Sequence, residues 1–168
     1  LVRNEKIDLG FVTVEEPDLY QDDEHLIFKK QTVGQVMACV GKHSPLAGKS
    51  SISLKEILKH PIITLPGYQM YESILKLLRK YGKPNILLNS FNRDVGRQIL
   101  SLGIGVGFYS SIVIKHDPYF TTGKLVHIPI SDAEIHLIYG YIRLKQRRLS
   151  TPAGEFLKIV ESETSSLF

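Results

Sequence analysis

Cysteine is nearly absent: among 168 residues there is one, Cys39, so no internal disulfide can form. That usage fits a reducing cytoplasm. Cys39 lies in the apolar run VMACV, which marks a small core residue and not a nucleophile. Long hydrophobic runs are missing too. No stretch approaches 18 apolar residues, and the first residues lack the basic and apolar regions of a secretory signal. The expectation is a soluble, cytoplasmic protein with no membrane partner. No internal repeat and no low-complexity tract is present.

Signatures of catalysis are equally thin. His25, His43, His60, His116, His127 and His136 are dispersed, with no His-x-x-x-His spacing and no cysteine pair to complete a metal site. His25 adjoins Asp22, Asp23 and Glu24, the pattern of a solvated acidic loop. There is no Gly-x-Ser-x-Gly nucleophile elbow. The sequence therefore predicts no enzyme, no cofactor and no metal.

What is present is an ordinary globular composition: 43% hydrophobic, 23% charged and a net charge of +4. It suits one domain or two small lobes with a packed core. The one dense basic cluster, Arg143, Lys145, Arg147 and Arg148, reads as the solvated end of a helix or strand.

Strands and helices alternate along the middle of the chain. LVRNEK resembles the end of a helix, and KIDLGFVTV the strand after it. EEPDLYQDDEH, with Pro17, is a loop. LIFKKQTVGQVMACVG holds two apolar runs broken by Gly34, as two strands or one long bent one. Ser53-Leu54-Lys55-Glu56 is a capping box opening a helix that Pro61 ends. PIITL is a buried strand. YESILKLLRKYG is a helix with Tyr71, Ile74, Leu75 and Leu78 on one face. NILLNS is a strand, and Asn92 or Asp94 caps a third helix whose apolar face takes Val95, Ile99 and Leu102. VGFYS, KLVHIPI and EIHLIYGYIRL are strands; SIVIKHDPYF leans helical, and STPAGEFLKIVES is the last helix. Such alternation predicts βαβ units and mainly parallel sheets.

Two stretches resemble phosphate sites and fail the test. In Gly103-Ile104-Gly105-Val106-Gly107 the dinucleotide spacing breaks at Phe108 and Ser110. The glycines also follow a helix and open a strand, so a phosphate would meet the negative end of a helix dipole. HSPLAGKS has His43 where a phosphate loop needs glycine, and reads as a polar turn. Instead, Gly103 is placed to stop the helix, and Gly105 and Gly107 to allow close packing.

The remaining candidates lie at strand ends. Thr13 follows IDLGFV; Gln31 and Thr32 lie where the chain crosses between lobes; Gly67, Tyr68, Gln69 and Tyr71 fill the turn after PIITL; Asn92 and Arg93 open the third helix. Open α/β sheets bind ligands beyond the carboxyl ends of their strands, against helix N-termini. Singly each is an ordinary cap or turn residue; together they outline a cleft for a small polar or anionic ligand.

The order of these pieces resembles the effector-binding domain of LysR-type transcriptional regulators. KIDLGFVT, MACVGKHSPLAGKSSISLKEILKHPIITL with its His43-Ser44-Pro45-Leu46 turn, ILSLGIGVGFYSS and RRLSTPAGEFLKIV each look like a segment of that family, in its order. The resemblance implies an α/β fold of two lobes, of the type II periplasmic-binding-protein kind, joined by two crossover strands. Lobe one would comprise residues 1–34 and 134–168, and lobe two 35–133. It implies a small-molecule effector between the lobes, at Thr13, Gln31, Thr32, Gly67, Tyr68, Gln69, Tyr71 and Asn92. It also implies self-association in a full-length dimer or tetramer, and DNA binding through an N-terminal helix-turn-helix absent from this sequence, which is read as truncated at its N-terminus. A transporter's solute-binding protein and an enzyme on the same scaffold are the alternatives; upstream sequence separates them.

Overall fold

The computed structural model of the chain describes residues 1–15 and 23–166, with side chains to residue 163. Most of the loop expected at 15–25, residues 16 to 22, lies outside the described residues. The strands are β1 (Leu9–Val14), β2 (Leu26–Gly41), β3 (Ile62–Thr64), β4 (Ile86–Asn89), β5 (Gly107–Ser110), β6 (Leu125–Ile128) and β7 (His136–Leu144). The helices are α1 (Leu54–Ile57), α2 (Gln69–Arg79), α3 (Arg93–Ser101), α4 (Ser111–His116), α5 (Pro118–Thr121) and α6 (Thr151–Ser166). Among the described residues no helix is long and apolar enough to cross a membrane. The chain divides into two compact units, unit 1 of residues 1–33 with 137–168 and unit 2 of residues 34–136.

In unit 1, β7 lies between β1 and β2. It runs antiparallel to β1 in the register Leu9↔Arg143 to Val14↔Ile138. The first residues close with a Glu5 amide bond to the Val2 carbonyl (2.9 Å) and a Lys6 amide bond to that of Leu1 (3.1 Å), with Glu5 at φ 58°. This pair of bonds around a left-handed residue is the Schellman pattern, although residues 2–5 form a turn and not a helix. The Arg143–Arg148 cluster is partly neutralised: Arg147 lies 3.5 Å from Asp8 and 3.9 Å from Glu5. Ser150 donates to Asp8, and that hydrogen bond holds the carboxyl below its ordinary range.

In unit 2, residues 36–41 of β2 are buried and sit between β5 (Val36↔Ser110) and β6 (Ala38↔Ile128), antiparallel to both. β3 pairs in parallel with β4, and Ile62 bridges in parallel to Val106 before β5. The expectation of mainly parallel sheets is thus corrected. The strands joined through helices, β3 to β6, point one way. β2 opposes them, and the β1–β7 ladder is antiparallel as well. A parallel neighbour requires a crossover of a dozen or more residues, usually a helix, and β2 enters unit 2 directly as an extended strand. Of the two readings of LIFKKQTVGQVMACVG, the single long one holds: β2 is one strand of 16 residues that includes Gly34. With neighbours on both edges and helices over its faces, it needs the continuous apolar run around Cys39, whose thiol is driven well up by burial.

Local signals are largely obeyed. The Ser53 hydroxyl accepts from the Glu56 amide at 3.2 Å. The Glu56 carboxylate does not reach back as a capping box would have it; it pairs with Lys49 at 2.9 Å. α2 buries Tyr71, Ile74, Leu75 and Leu78. α3 departs from expectation. It buries Gly96 and Leu100, leaving Val95 and Leu102 exposed, because the bare backbone at Gly96 lets the helix settle on Ile63 of β3.

The alternate glycines are structural. Gly103 and Gly105 have φ of +81° and +80°, and a Cβ at Gly105 would stand 2.5 Å from the Pro61 carbonyl oxygen. Gly105→Ala is therefore expected to cost about 2–4 kcal/mol in urea unfolding, and Gly48→Ala, in open space, less than about 0.5 kcal/mol. Equal midpoints for the two variants would contradict this account.

Candidate functional site

The carboxyl ends of β3 and β4 meet in unit 2, where the Ser90 amide bonds to the Thr64 carbonyl at 3.2 Å. Thr64 also donates its hydroxyl to Asn89 Oδ1 at 3.0 Å. These bonds bring together the loops that follow each strand. Gly67, at φ +80°, turns the first loop, and its Cα hydrogen side faces the Phe91 ring of the second. Across the two loops the Arg93 guanidinium donates to the Tyr68 hydroxyl at 2.7 Å and stands 5.4 Å from that ring's centroid.

Arg93 is the first residue of α3, where the positive end of the helix dipole disfavours a cation by a few tenths of a kcal/mol. Among the described residues no carboxylate pairs with it. α2 opens at the same place, and its N-cap, Tyr68, makes no side-chain bond to the first-turn amides. A guanidinium, two helix N-termini and the exposed rings of Tyr68 and Phe91 therefore converge on one surface. Its chemistry suits a small anion with an apolar or hydroxylated body.

Of the residues expected to form a site, five gather here. Tyr68 and Gln69 are exposed, with Gly67 between them and Phe91. Tyr71 is placed differently: it is 4% exposed and its hydroxyl donates to the Phe108 carbonyl at 3.0 Å. Burial drives its phenol strongly upward in pKa. It supports the Tyr68 ring edge-on, centroids 6.5 Å apart. The Asn92 carbonyl oxygen caps α3, accepting from the amides of Asp94 (3.0 Å) and Val95 (3.4 Å). The other three belong to unit 1. Thr13 is exposed on β1 opposite Tyr139, while Gln31 and Thr32 are half-buried on β2, with β7 between the two strands.

Sequence reasoning grouped Arg93 with the cleft residues because it opens a helix, and gave it no role of its own. The signal available was a cation at a helix start, against the dipole preference. Arg97 was missed entirely. It bonds Asp94 at 2.8 Å, pairs with the buried Asp117, and lies 5.9 Å from the Tyr119 centroid. Asp117 in turn caps α5 through the Tyr119 amide at 2.9 Å. This ion pair ties α3 to the α4–α5 junction beneath the loops. Nearby, burial pushes the Tyr109 phenol up to about 12.

A family model described as the LysR substrate binding domain matches residues 1–165. The HTH-type transcriptional regulator SsuR of Burkholderia cenocepacia is 30% identical over 86 residues, which are 50% of this chain and 27% of that protein. Among solved structures, HinK, a LysR family transcriptional regulator from Pseudomonas aeruginosa, superposes with a TM-score of 0.77 at 20% identity. The match covers 99% of this chain and 56% of that one. The regulatory domain of CcmR from Synechocystis PCC6803, in complex with 2-PG, gives a TM-score of 0.75 at 20% identity, covering 97% of this chain and 76% of that one. The chain thus spans well under two thirds of the length of SsuR and HinK, and the likeness to the solved structures carries the two-lobe fold.

Tyr71→Phe removes the donor to the Phe108 carbonyl and is expected to cost about 1 kcal/mol in urea unfolding. Tyr68→Phe, at an exposed hydroxyl, should cost less than about 0.5 kcal/mol. The reverse order would show that Tyr71 is not the supporting residue.

Proposed function

The chain belongs to the LysR substrate-binding domain family, and on that premise we propose that it is the effector-binding module of a cytoplasmic transcriptional regulator. Its effector is a small anionic metabolite. The observation that carries this reading is Arg93, unpaired by any carboxylate among the described residues and held on Tyr68 beside the N-termini of α2 and α3. A carboxylate or phosphate there gains charge-assisted hydrogen bonds and the helix dipoles together. In this reading Tyr68, Gln69 and Gly67 face the ligand, and Asn92 and Tyr71 support them. Thr13, Gln31 and Thr32 are the proposed contribution of unit 1 to an inter-lobe cleft. That CcmR's regulatory domain, of the same fold, is held with 2-PG supports a small-molecule role for the scaffold.

The effector acts by binding one arrangement of the lobes better than another and so shifting their populations. No bond is made or broken in the ligand. The shift reaches DNA through an N-terminal helix-turn-helix of the full-length protein. Self-association of that protein uses a second copy against the outer face of β4, where Ile86 and Leu87 are exposed on an edge strand.

A thermal-shift screen of small carboxylates, amino acids and aromatic acids is expected to return an acid that raises the melting temperature. Arg93→Ala should weaken that acid's binding at least about tenfold in calorimetry, with the ligand-free melting temperature nearly unchanged; an unaltered affinity rejects the site. For the β4 face, Leu87→Lys should shift sedimentation toward monomer. A full-length regulator whose oligomer survives this change rejects that face.

A further inference from the structure

The charge of the chain is divided unevenly. Unit 2 holds twelve lysines and arginines against six aspartates and glutamates, a surplus of six; unit 1 holds nine against eleven. Half of the unit 2 cations lie on one small part of it: Lys55 and Lys59 on and just after α1, and Lys76, Arg79, Lys80 and Lys83 on and just after α2. All six are exposed. The ends of these two elements abut, since a side-chain carbon at Gly82 would come 3.6 Å from Leu58 Cδ1. The buried face of α2 is the opposite one, made of Tyr71, Ile74, Leu75 and Leu78, so its cations point to solvent.

None of the six takes part in an ion pair among the described residues. Glu56 is occupied by Lys49, and Glu72 is the other carboxylate on these elements. The α2 dipole accounts for basic residues in its own last turn. It does not account for Lys55 and Lys59 on the neighbouring element, nor for Lys76 and Lys80 four apart, a spacing at which like charges repel by a few tenths of a kcal/mol. Glu56, held below its ordinary range first by Lys49, is also drawn down by Lys59, and Glu72 stands four residues before Lys76, so the repulsion is partly offset; the surplus of cations that remains suits an anionic partner.

The composition of the patch chooses between partners. Protein interfaces have an apolar centre and are depleted in lysine. Here the one large apolar side chain is Tyr81, half exposed, and the rest is lysine and arginine. Phosphate backbones are met with wet, cation-rich surfaces of this kind. The eleven residues of α2 extend roughly 16 Å, about five base-pair steps of duplex.

We propose that the α1–α2 face of unit 2 contacts the phosphate backbone of duplex DNA without reading sequence, separately from the effector site. In the full-length regulator it would hold flanking DNA against the sensor domain. The inference rests on family membership and on the charge pattern, not on the assignment of Arg93.

The test is fluorescence anisotropy of the 168-residue chain with a labelled 20-base-pair duplex of arbitrary sequence, between about 50 and 200 mM salt. Weak binding is expected, with affinity falling steeply as salt rises. The triple variant Lys59→Glu, Lys80→Glu, Lys83→Glu should lose at least about tenfold in affinity at the lowest salt, and its log–log salt slope should fall by about three. The charge-matched control Arg143→Glu, Lys145→Glu, Arg148→Glu, on unit 1, should keep the slope. Should the first triple variant fail to fold, the corresponding glutamine variants carry the same comparison. Absence of binding by the unsubstituted chain at the lowest salt overturns the proposal, as does equal weakening by both variants. Displacement of the duplex by poly-glutamate as readily as by unlabelled DNA assigns the face to an acidic protein and overturns it too.

Discussion

Six consecutive buried residues, Val36 to Gly41, govern the architecture of unit 2. Their backbone must be hydrogen-bonded on both edges, and β5 and β6 do this. Their side chains must be covered, which fixes where the helices lie. Enclosed in this way, β5 and the unit 2 part of β2 are buried along their length. The loops and helix starts beyond β3 and β4 hold polar groups in water on this rigid frame, as loops on a scaffold commonly do.

At those ends the energetics oppose the usual preferences. A guanidinium at the start of α3 and a tyrosine N-cap that leaves α2 without a side-chain cap both give up a little stability. They are tolerated because firm supports lie beneath: Tyr71 on the Phe108 carbonyl, and Arg97 between Asp94 and Asp117. The buried pair makes the loops precise more than it makes the protein stable, since desolvating two charges offsets much of their attraction.

Local chemistry was legible in the sequence wherever it acts over a few residues. The Ser53 and Asn92 caps, the inward face of α2 and the stop at Gly103 follow from side chains within one turn of each other. The misread face of α3 has a specific cause. A hydrophobic pattern gives glycine no weight, yet Gly96 is the point of closest approach to β3. The direction of β2 was hidden because strand pairing is set by partners some 70 to 90 residues away, Ser110 and Ile128. The candidate site was half legible: strand-end position picked out Tyr68 and Asn92, whereas the division of labour between an exposed Tyr68 and a buried Tyr71 depends on Phe108, 37 residues on.

The pairing of β1 with β7 has a consequence for how the chain acquires its shape. Unit 2 is one continuous stretch, and it can form as soon as residue 136 has been made. Unit 1 must join Leu9 to Arg143, partners at opposite ends of the sequence. The entropy of closing so long a loop is lowered when the intervening residues are already folded and their ends held near each other. Unit 2 is therefore a template on which unit 1 is completed. Synthesis leaves β1 waiting for its partner until residues 136–144 emerge, with an unpaired strand edge exposed to other chains in the interval.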